Sequence, residues 1–219
     1  SASFSRYKAR SLLVIDQPNP RFFPRNIAIA RFSSIHISAA VPVMGSWNTR
    51  PINCERLYSG SFRELNDNME GQFFCNAFTG IERYRLNPRK QEHISICSFS
   101  LCYKNHLMWS HYADGHRGIA IGFEVDNVET AIEKVDYNGL ARFDDFPSKF
   151  VDVKSVFLNK AEVFSYENEY RIITDKQNFV KIKIKEILFG AETSEENKRI
   201  ISKIAKLVDS EIVLDTYYG

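Results

Sequence analysis

The densest concentration of chemically capable side chains is residues 105–116 (NHLMWSHYADGH), where three histidines, an aspartate, a serine, a tryptophan and a tyrosine occur together. His106, His111 and His116 recur every five residues, a step of about 140° around a helix, so their rings diverge and a shared metal ion is not predicted. Ser110 and His111 are adjacent and point apart, which argues against a Ser-His-Asp triad. The spacing instead offers Trp109 and Tyr112 as platforms for a planar ring, with His111 or Asp114 as a hydrogen-bonding group. A core-packing helix with one satisfied histidine accounts for the same residues.

A second constellation is residues 166–171 (YENEYR), where Glu167 and Glu169 stand two apart. Just before or within a strand, that period aims both carboxylates at one face. Two like charges side by side cost energy unless a cation or a substrate lies between them. Such a pair suits a reaction that develops positive charge, notably cleavage of a glycosidic bond through an oxocarbenium ion. An exposed strand face with Glu169 paired to Arg171 is the plainer reading. Two further groups are unspecific taken singly. Residues 7–11 (YKARS) place Lys8 and Arg10 on a first strand. In residues 57–71, Ser59, Gly60 and Ser61 can bring small hydroxyl and backbone groups to a ligand, and Asn66 and Asp67 form a turn.

These groups sit in a chain of 219 residues, 44% hydrophobic, 26% charged and 13% aromatic, with 10 Gly and 7 Pro. That composition excludes a disordered or collagen-like chain and supplies material for one core. The longest apolar stretch, residues 27–44, is interrupted by Arg31 and His36 and does not reach the roughly 20 residues of a membrane span. The net charge is +2, but residues 1–60 hold eight basic against two acidic side chains. A basic N-terminal part predicts an anionic partner, whether nucleotide phosphate, nucleic acid or acidic protein; a solvated basic face is the alternative. Residues 21–40 have the Arg- and Ser-rich composition of a transit peptide. They follow a strand-like segment, however, and are read as folded protein. Cys54, Cys75, Cys97 and Cys102 lack zinc-knuckle spacing and read as reduced, mostly buried thiols of a cytoplasmic protein.

The elements that must position these groups are short and mixed. Residues 11–15 form a strand that Pro18 and Pro20 stop. Residues 94–102 alternate apolar and small polar side chains, as a half-buried strand does. Asn105 caps a short helix through Tyr112, Gly115 ends it, and residues 118–125 follow as a buried strand. Residues 128–135 are predicted helical. From 149 to 164, Phe150, Val153, Phe157, Ala161 and Phe164 recur every three or four residues, which predicts an amphipathic helix. Residues 170–174 form a strand. Residues 179–189 alternate, with Ile182 and Ile184 inward and Lys181, Lys183 and Lys185 outward, a lysine ladder suited to guarding a sheet edge. Gly190 turns the chain, and Thr193 and Glu196 form a capping box for a helix carrying Ile200, Ile201, Ile204 and Leu207. A strand over 211–217 ends the series. Without a regular βαβ rhythm, the expected class is α+β: a mixed or antiparallel sheet core with flanking helices, in a single domain over 1–219.

Taken in order, four blocks resemble a widespread bacterial family catalogued as domain of unknown function 2971. Tyr7, Lys8, Arg10 and Ser11 match its Tyr-Lys-Tyr-Arg-Ser opening, with Ala9 in place of the second Tyr. Leu57, Tyr58, Ser59, Ser61, Asn66, Asp67, Glu70 and Gly71 match a second block, with Gly60 and Asn68 as departures. Residues 97–100 and 107–114, with Gly122 and Phe123, match a Cys-Ser-Phe-Ser…Leu-Met-Trp-Ser-His-Tyr-Ala-Asp…Gly-Phe block, and residues 166–171 complete a Tyr-Glu-x-Glu-Tyr-Arg block. Residues 12–56 then stand as an Arg-rich insertion between the first two blocks.

The order of Arg on a first strand, Ser on a second and Glu-x-Glu late resembles the Arg-Ser-Glu layout of NAD-dependent ADP-ribosyltransferases. That resemblance implies a transferase-like fold and NAD as substrate, without a metal. Arg10 would bind an NAD phosphate, and Ser59 or Ser61 would fix the ribose. Trp109 or Tyr112 would stack on nicotinamide beside His111. Glu169 would hold the ribose 2′-hydroxyl and stabilise the oxocarbenium ion, and Glu167 would orient or deprotonate the acceptor, a macromolecule or water. The insertion would select the target of a toxin or phage-defence effector. Two readings of another class stand beside it: a nucleic-acid-binding or nuclease-like module using the basic N-terminal segment, and a nucleotide-binding interaction domain without turnover.

Overall fold

The computed structural model describes residues 11–15 and 26–30, as backbone strands, together with 56–61, 69–77, 80–100, 102–125, 131–144, 152–175 and 179–219. Its centre is a 10-stranded mixed sheet. From one side the order runs β13 (Val213–Tyr217), β12 (Phe179–Gly190), β8 (Ile119–Val125), β2 (Asn26–Ala30), β1 (Ser11–Ile15), β7 (Ile94–Ser100), β11 (Glu169–Asp175) and β9 (Glu133–Lys134). Two short strands join it, β3 (Arg56–Tyr58) on β12 and β4 (Gly60–Ser61) on β7. The β1–β7 and β12–β13 pairs are parallel; the others are antiparallel. A second sheet has the order β10 (Arg142–Phe143), β5 (Gln72–Ala77), β6 (Gly80–Arg85). The class is α+β. Asn26–Ala30 lies between β8 and β1, so part of the segment that reads as an insertion is sheet.

Strand periodicity divides the large sheet into two faces. Cys97, Phe99, Ile119, Ile121, Phe123, Ile172, Ile182 and Ile184 enter one core cluster, closed by Ile201 and Ala205 of helix α3 (Glu195–Val208). Each fully buried Phe or Ile in it contributes roughly 1.5–3 kcal/mol. The opposite face carries two smaller clusters. Helix α1 (His106–Tyr112) packs Met108 and Trp109 with Ala120 and Leu188. Helix α2 (Val153–Phe157) packs Val156 and Phe157 with Phe73, Cys75, Leu86 and Ile96. Among the described residues, no helix is long and apolar enough to cross a membrane.

Several expected elements form as read. Asn105 caps α1, its side chain accepting from Leu107 N, and the strands at 94–100 and 119–125 are present. Others differ. The helix expected over 149–164 is broken into α2 and a 3-10 helix, Glu162–Glu167. Between them Asp136 N donates to Leu158 O (2.7 Å) and Lys160 N to Asp136 O (2.8 Å), so tertiary bonds displace the helical ones. In the helix expected over 128–135, residues 128–130 lie outside the described residues, while Glu133–Lys134 is a strand on β11. The lysine-bearing strand is not an edge: β12 pairs with β8 and β13, and Lys183 stands opposite Glu124. Ser194, not Thr193, caps α3; the Thr193 hydroxyl donates to Gly118 O instead. Leu207 is 87% exposed, so the buried face of α3 is Ile201 and Ala205. The final strand starts at Val213 rather than 211.

Gly190 closes β12 against the loop after α1. A Cβ there would lie 2.1 Å from His116 O, so no other residue fits beside that carbonyl. Gly190 N donates to Gly118 O at 3.0 Å.

Candidate active site

The register of β11 on β7 sets Glu169 opposite Ser100 and Arg171 opposite Ser98, with both acidic and basic side chains on the α1–α2 face of the sheet. Tyr170 and Ile172, between and beyond them, join the core on the other face. Glu167 reaches the same place by another route. It ends the 3-10 helix, and Asn168 takes a left-handed conformation (φ 42°, ψ 51°) that turns the chain into β11. Asn tolerates that conformation better than most residues. The two carboxylates therefore converge, though not as alternate residues of one strand.

Lys160, released from helix by the break after α2, joins them. Its Nζ donates to Glu167 Oε2 (2.5 Å) and Glu169 Oε2 (3.1 Å). Arg171 donates through Nε to Glu169 Oε1 (2.7 Å) and through Nη2 to Glu169 Oε2 (3.1 Å). Its Nη1 also donates to Phe157 O (2.6 Å), and its outer nitrogens grip Glu70. Glu167, Glu169, Arg171, Glu70 and Lys160 are all buried. Glu167 Oε1 accepts from the half-buried Tyr112 hydroxyl at 2.5 Å. Tyr137 OH accepts from Glu169 N (2.8 Å), and the Ser98 hydroxyl bonds the Glu169 carboxylate.

Three formal negative charges thus face two positive ones among the described residues. Buried charge is tolerated only when paired and hydrogen-bonded, and the surplus must be relieved by a proton or a cationic partner. The two neighbouring carboxylates respond oppositely. Burial would raise Glu169, but the Arg171 guanidinium and the Lys160 ammonium outweigh it and hold the carboxyl down at about 2. Burial raises Glu167 above the ordinary glutamate range; Lys160 pulls against that rise and Glu169 adds to it. Burial likewise raises Tyr112, reinforced by the charge of Glu167, so its hydroxyl keeps its proton. For Lys160, burial favours the neutral amine, yet Glu169 and Glu167 overcome it and keep the ammonium. A pair of acids with separated proton affinities is a common basis for acid–base chemistry.

The other residues singled out from the sequence fall in different places. His111 is exposed at the rim, its Nδ1 3.1 Å from Tyr166 OH. Trp109 is a correction. It is fully buried, donates its indole N–H to Tyr103 O (2.6 Å), and stacks with Tyr217 and His116, so it is a core residue rather than a platform for nicotinamide. The plainer reading of Glu169 also changes: it does pair with Arg171, but inside the protein. Ser59 is fully buried and its Oγ has no hydrogen-bond partner among the described residues. Ser61 is half-buried on β4 opposite Ser95. Arg10 lies outside the described residues.

Lys160 and Glu70 were not identified from sequence as members of the site. Glu70 belongs to the second of the blocks that resemble the family pattern, and that was its signal in the sequence. Lys160 had none, because it sat within an apparently helical pattern. The described residues contain no group of three or more His, Cys, Asp or Glu able to hold a metal ion.

Residues 108–172 match the model of a family described as protein of unknown function (DUF2971). The match covers under a third of the chain but takes in Tyr112, Lys160, Glu167, Glu169 and Arg171, and it supports the resemblance to that family over this segment. No curated protein and no solved structure matches the chain.

Proposed function

We propose that this protein is an NAD-consuming enzyme of the ADP-ribosyltransferase kind, which cleaves the nicotinamide–ribose bond and passes ADP-ribose to a macromolecule or to water. The observation that supports this reading is the excess of carboxylates over cations among the described residues of the buried cluster, with the two adjacent glutamates differing in proton affinity. As the C1′–N bond breaks, nicotinamide leaves with the bonding electron pair and the ribose becomes an oxocarbenium ion. The nicotinamide ring of NAD is already a cation, so the positive charge moves from that ring to the ribose as the bond breaks, and a carboxylate placed beside the ribose stabilises it there.

Within this reading the roles of the two glutamates divide. Both carboxylates have both oxygens hydrogen-bonded, and what separates them is proton affinity: Glu169, held down by Arg171 and Lys160, is a positioning residue that fixes Lys160 and the charge balance. Glu167 is the base. As the acceptor O–H attacks C1′, its proton passes to Glu167, whose raised proton affinity suits that transfer. Tyr112, half-buried and bonded to Glu167, marks the approach for substrate, with His111 and Tyr166 at the rim. Arg10 remains the proposed NAD phosphate ligand, and Ser59 and Ser61 the proposed ribose contacts. The test is release of nicotinamide from NAD by the purified chain. Wild type should release it and Glu167→Gln, at equal folded content, should not; equal release by both would overturn the assignment.

A further inference from the structure

The ribbon formed by β3 and β12 carries an exposed row of side chains that the proposed catalytic site does not use. Phe179 stands opposite Tyr58, and Lys181 opposite Arg56. Cross-strand partners share a face, and so do alternate residues on one strand, so these four side chains form one patch. Tyr58 is 52% exposed and Phe179 50% exposed, with ring centroids 5.8 Å apart in an edge-to-face arrangement. Arg56, Lys181 and Lys183 are exposed as well. Between them, Val180 and Ile182 point into the core.

Two features of this patch run against ordinary sheet design. Like charges directly opposite each other on a strand pair are destabilising, yet Arg56 faces Lys181. Neither makes a salt bridge to a described residue, whereas Lys185, further along β12, does pair with Glu124. Beside this cationic pair lies an aromatic pair half open to water, in a position where a soluble sheet face ordinarily carries polar residues. An anion that also offers planar rings relieves both features at once.

We infer that the β3–β12 face binds single-stranded nucleic acid, with a base stacked on the Tyr58–Phe179 pair and backbone phosphates on Arg56 and Lys181. Stacking on a sheet-borne aromatic pair beside cations is how single strands are held without sequence reading. Duplex is a poor ligand for such a surface, because its bases are already stacked on one another. This inference does not depend on NAD chemistry: the groups involved are distinct from Glu167, Glu169, Lys160 and Tyr112.

The experiment is fluorescence anisotropy of the full chain with labelled oligo-dT, oligo-U and a duplex, each of roughly 12 units, at low and moderate salt. The surface predicts binding of one or both single strands in preference to duplex, weakening as salt rises. It also predicts that Phe179→Ala loses about tenfold in affinity through stacking, and that Arg56→Glu with Lys181→Glu abolishes binding. A preference between oligo-dT and oligo-U identifies the strand type. All three substitutions are at exposed positions, so circular dichroism and the melting temperature should stay unchanged and confirm the fold. Absence of binding at low salt overturns the inference. So does equal affinity for duplex with Phe179→Ala unaffected, which is plain polyanion attraction, and so does binding that survives the double charge reversal.

Discussion

Arg171 holds Glu70, 101 residues earlier in the chain, through two parallel bonds: Nη1 to Oε2 at 2.9 Å and Nη2 to Oε1 at 2.5 Å. The fork ties the turn before β5 to the sheet strand that carries Glu169. It also fixes the guanidinium from which Glu169 is gripped. Stability and the candidate chemistry therefore share one side chain.

Removing that fork leaves Glu70 and Glu169 buried without their main cation. Arg171→Ala should lower the unfolding free energy by about 3–5 kcal/mol. Arg171→Lys should recover only part of it, because an ammonium cannot make the paired contact. Urea unfolding of both variants checks this. Adding Glu70→Gln to Arg171→Ala should cost less than the two single changes added together.

Acid should unfold the protein partly through Glu169. Its folded-state value lies below the unfolded one, so the stability it supplies is present above about 4.5 and lost as pH falls through that value toward about 2. Glu167 has the opposite sign. Its raised folded value means that its contribution is present below 4.5 and declines as pH rises beyond it. Glu167→Gln should therefore flatten the decline of stability above pH 4.5, measured as melting temperature against pH, and leave the acid limb in place.

Among the described residues the buried Ser59 hydroxyl has no hydrogen-bond partner, and a buried hydroxyl left so costs about 1–3 kcal/mol. Ser59→Ala should melt at the same temperature as wild type or above it when no ligand is present. If NAD is the ligand, the variant should gain less from added NAD than wild type does. Thermal melts with and without NAD separate the two effects.

Gly190→Ala brings a methyl group onto His116 O and should destabilise by about 1–3 kcal/mol. The displaced loop carries His116 and supports α1, so near-ultraviolet dichroism from Trp109 should change along with the melting temperature.

Much of the scaffold was readable from local pattern. The alternation in β7 and β8 and the Asn105 cap are decided within a few residues, and the structure has them. The broken helix at 158–161 was not readable, because its cause is the backbone of Asp136, more than twenty residues away. The same holds for Lys160. It lies within the stretch that reads as one amphipathic helix, and only the break turns it onto the carboxylates. Glu167 and Glu169 do converge, but through the left-handed turn at Asn168 rather than the strand alternation expected of them, and a Glu-x-Glu sequence looks the same exposed or enclosed. Trp109 failed for a related reason, since its block named a ring and not which way the ring faces.

The account turns on unequal proton affinity at Glu167 and Glu169, and nuclear magnetic resonance of carboxyl-labelled glutamate tests that most directly. With Glu167→Gln and Glu169→Gln used for assignment, Glu167 should titrate above the ordinary glutamate range and Glu169 should stay ionised down to about pH 2. Two carboxyls titrating together near 4.5 would contradict the account, because the cluster would then hold no base distinct from its neighbour.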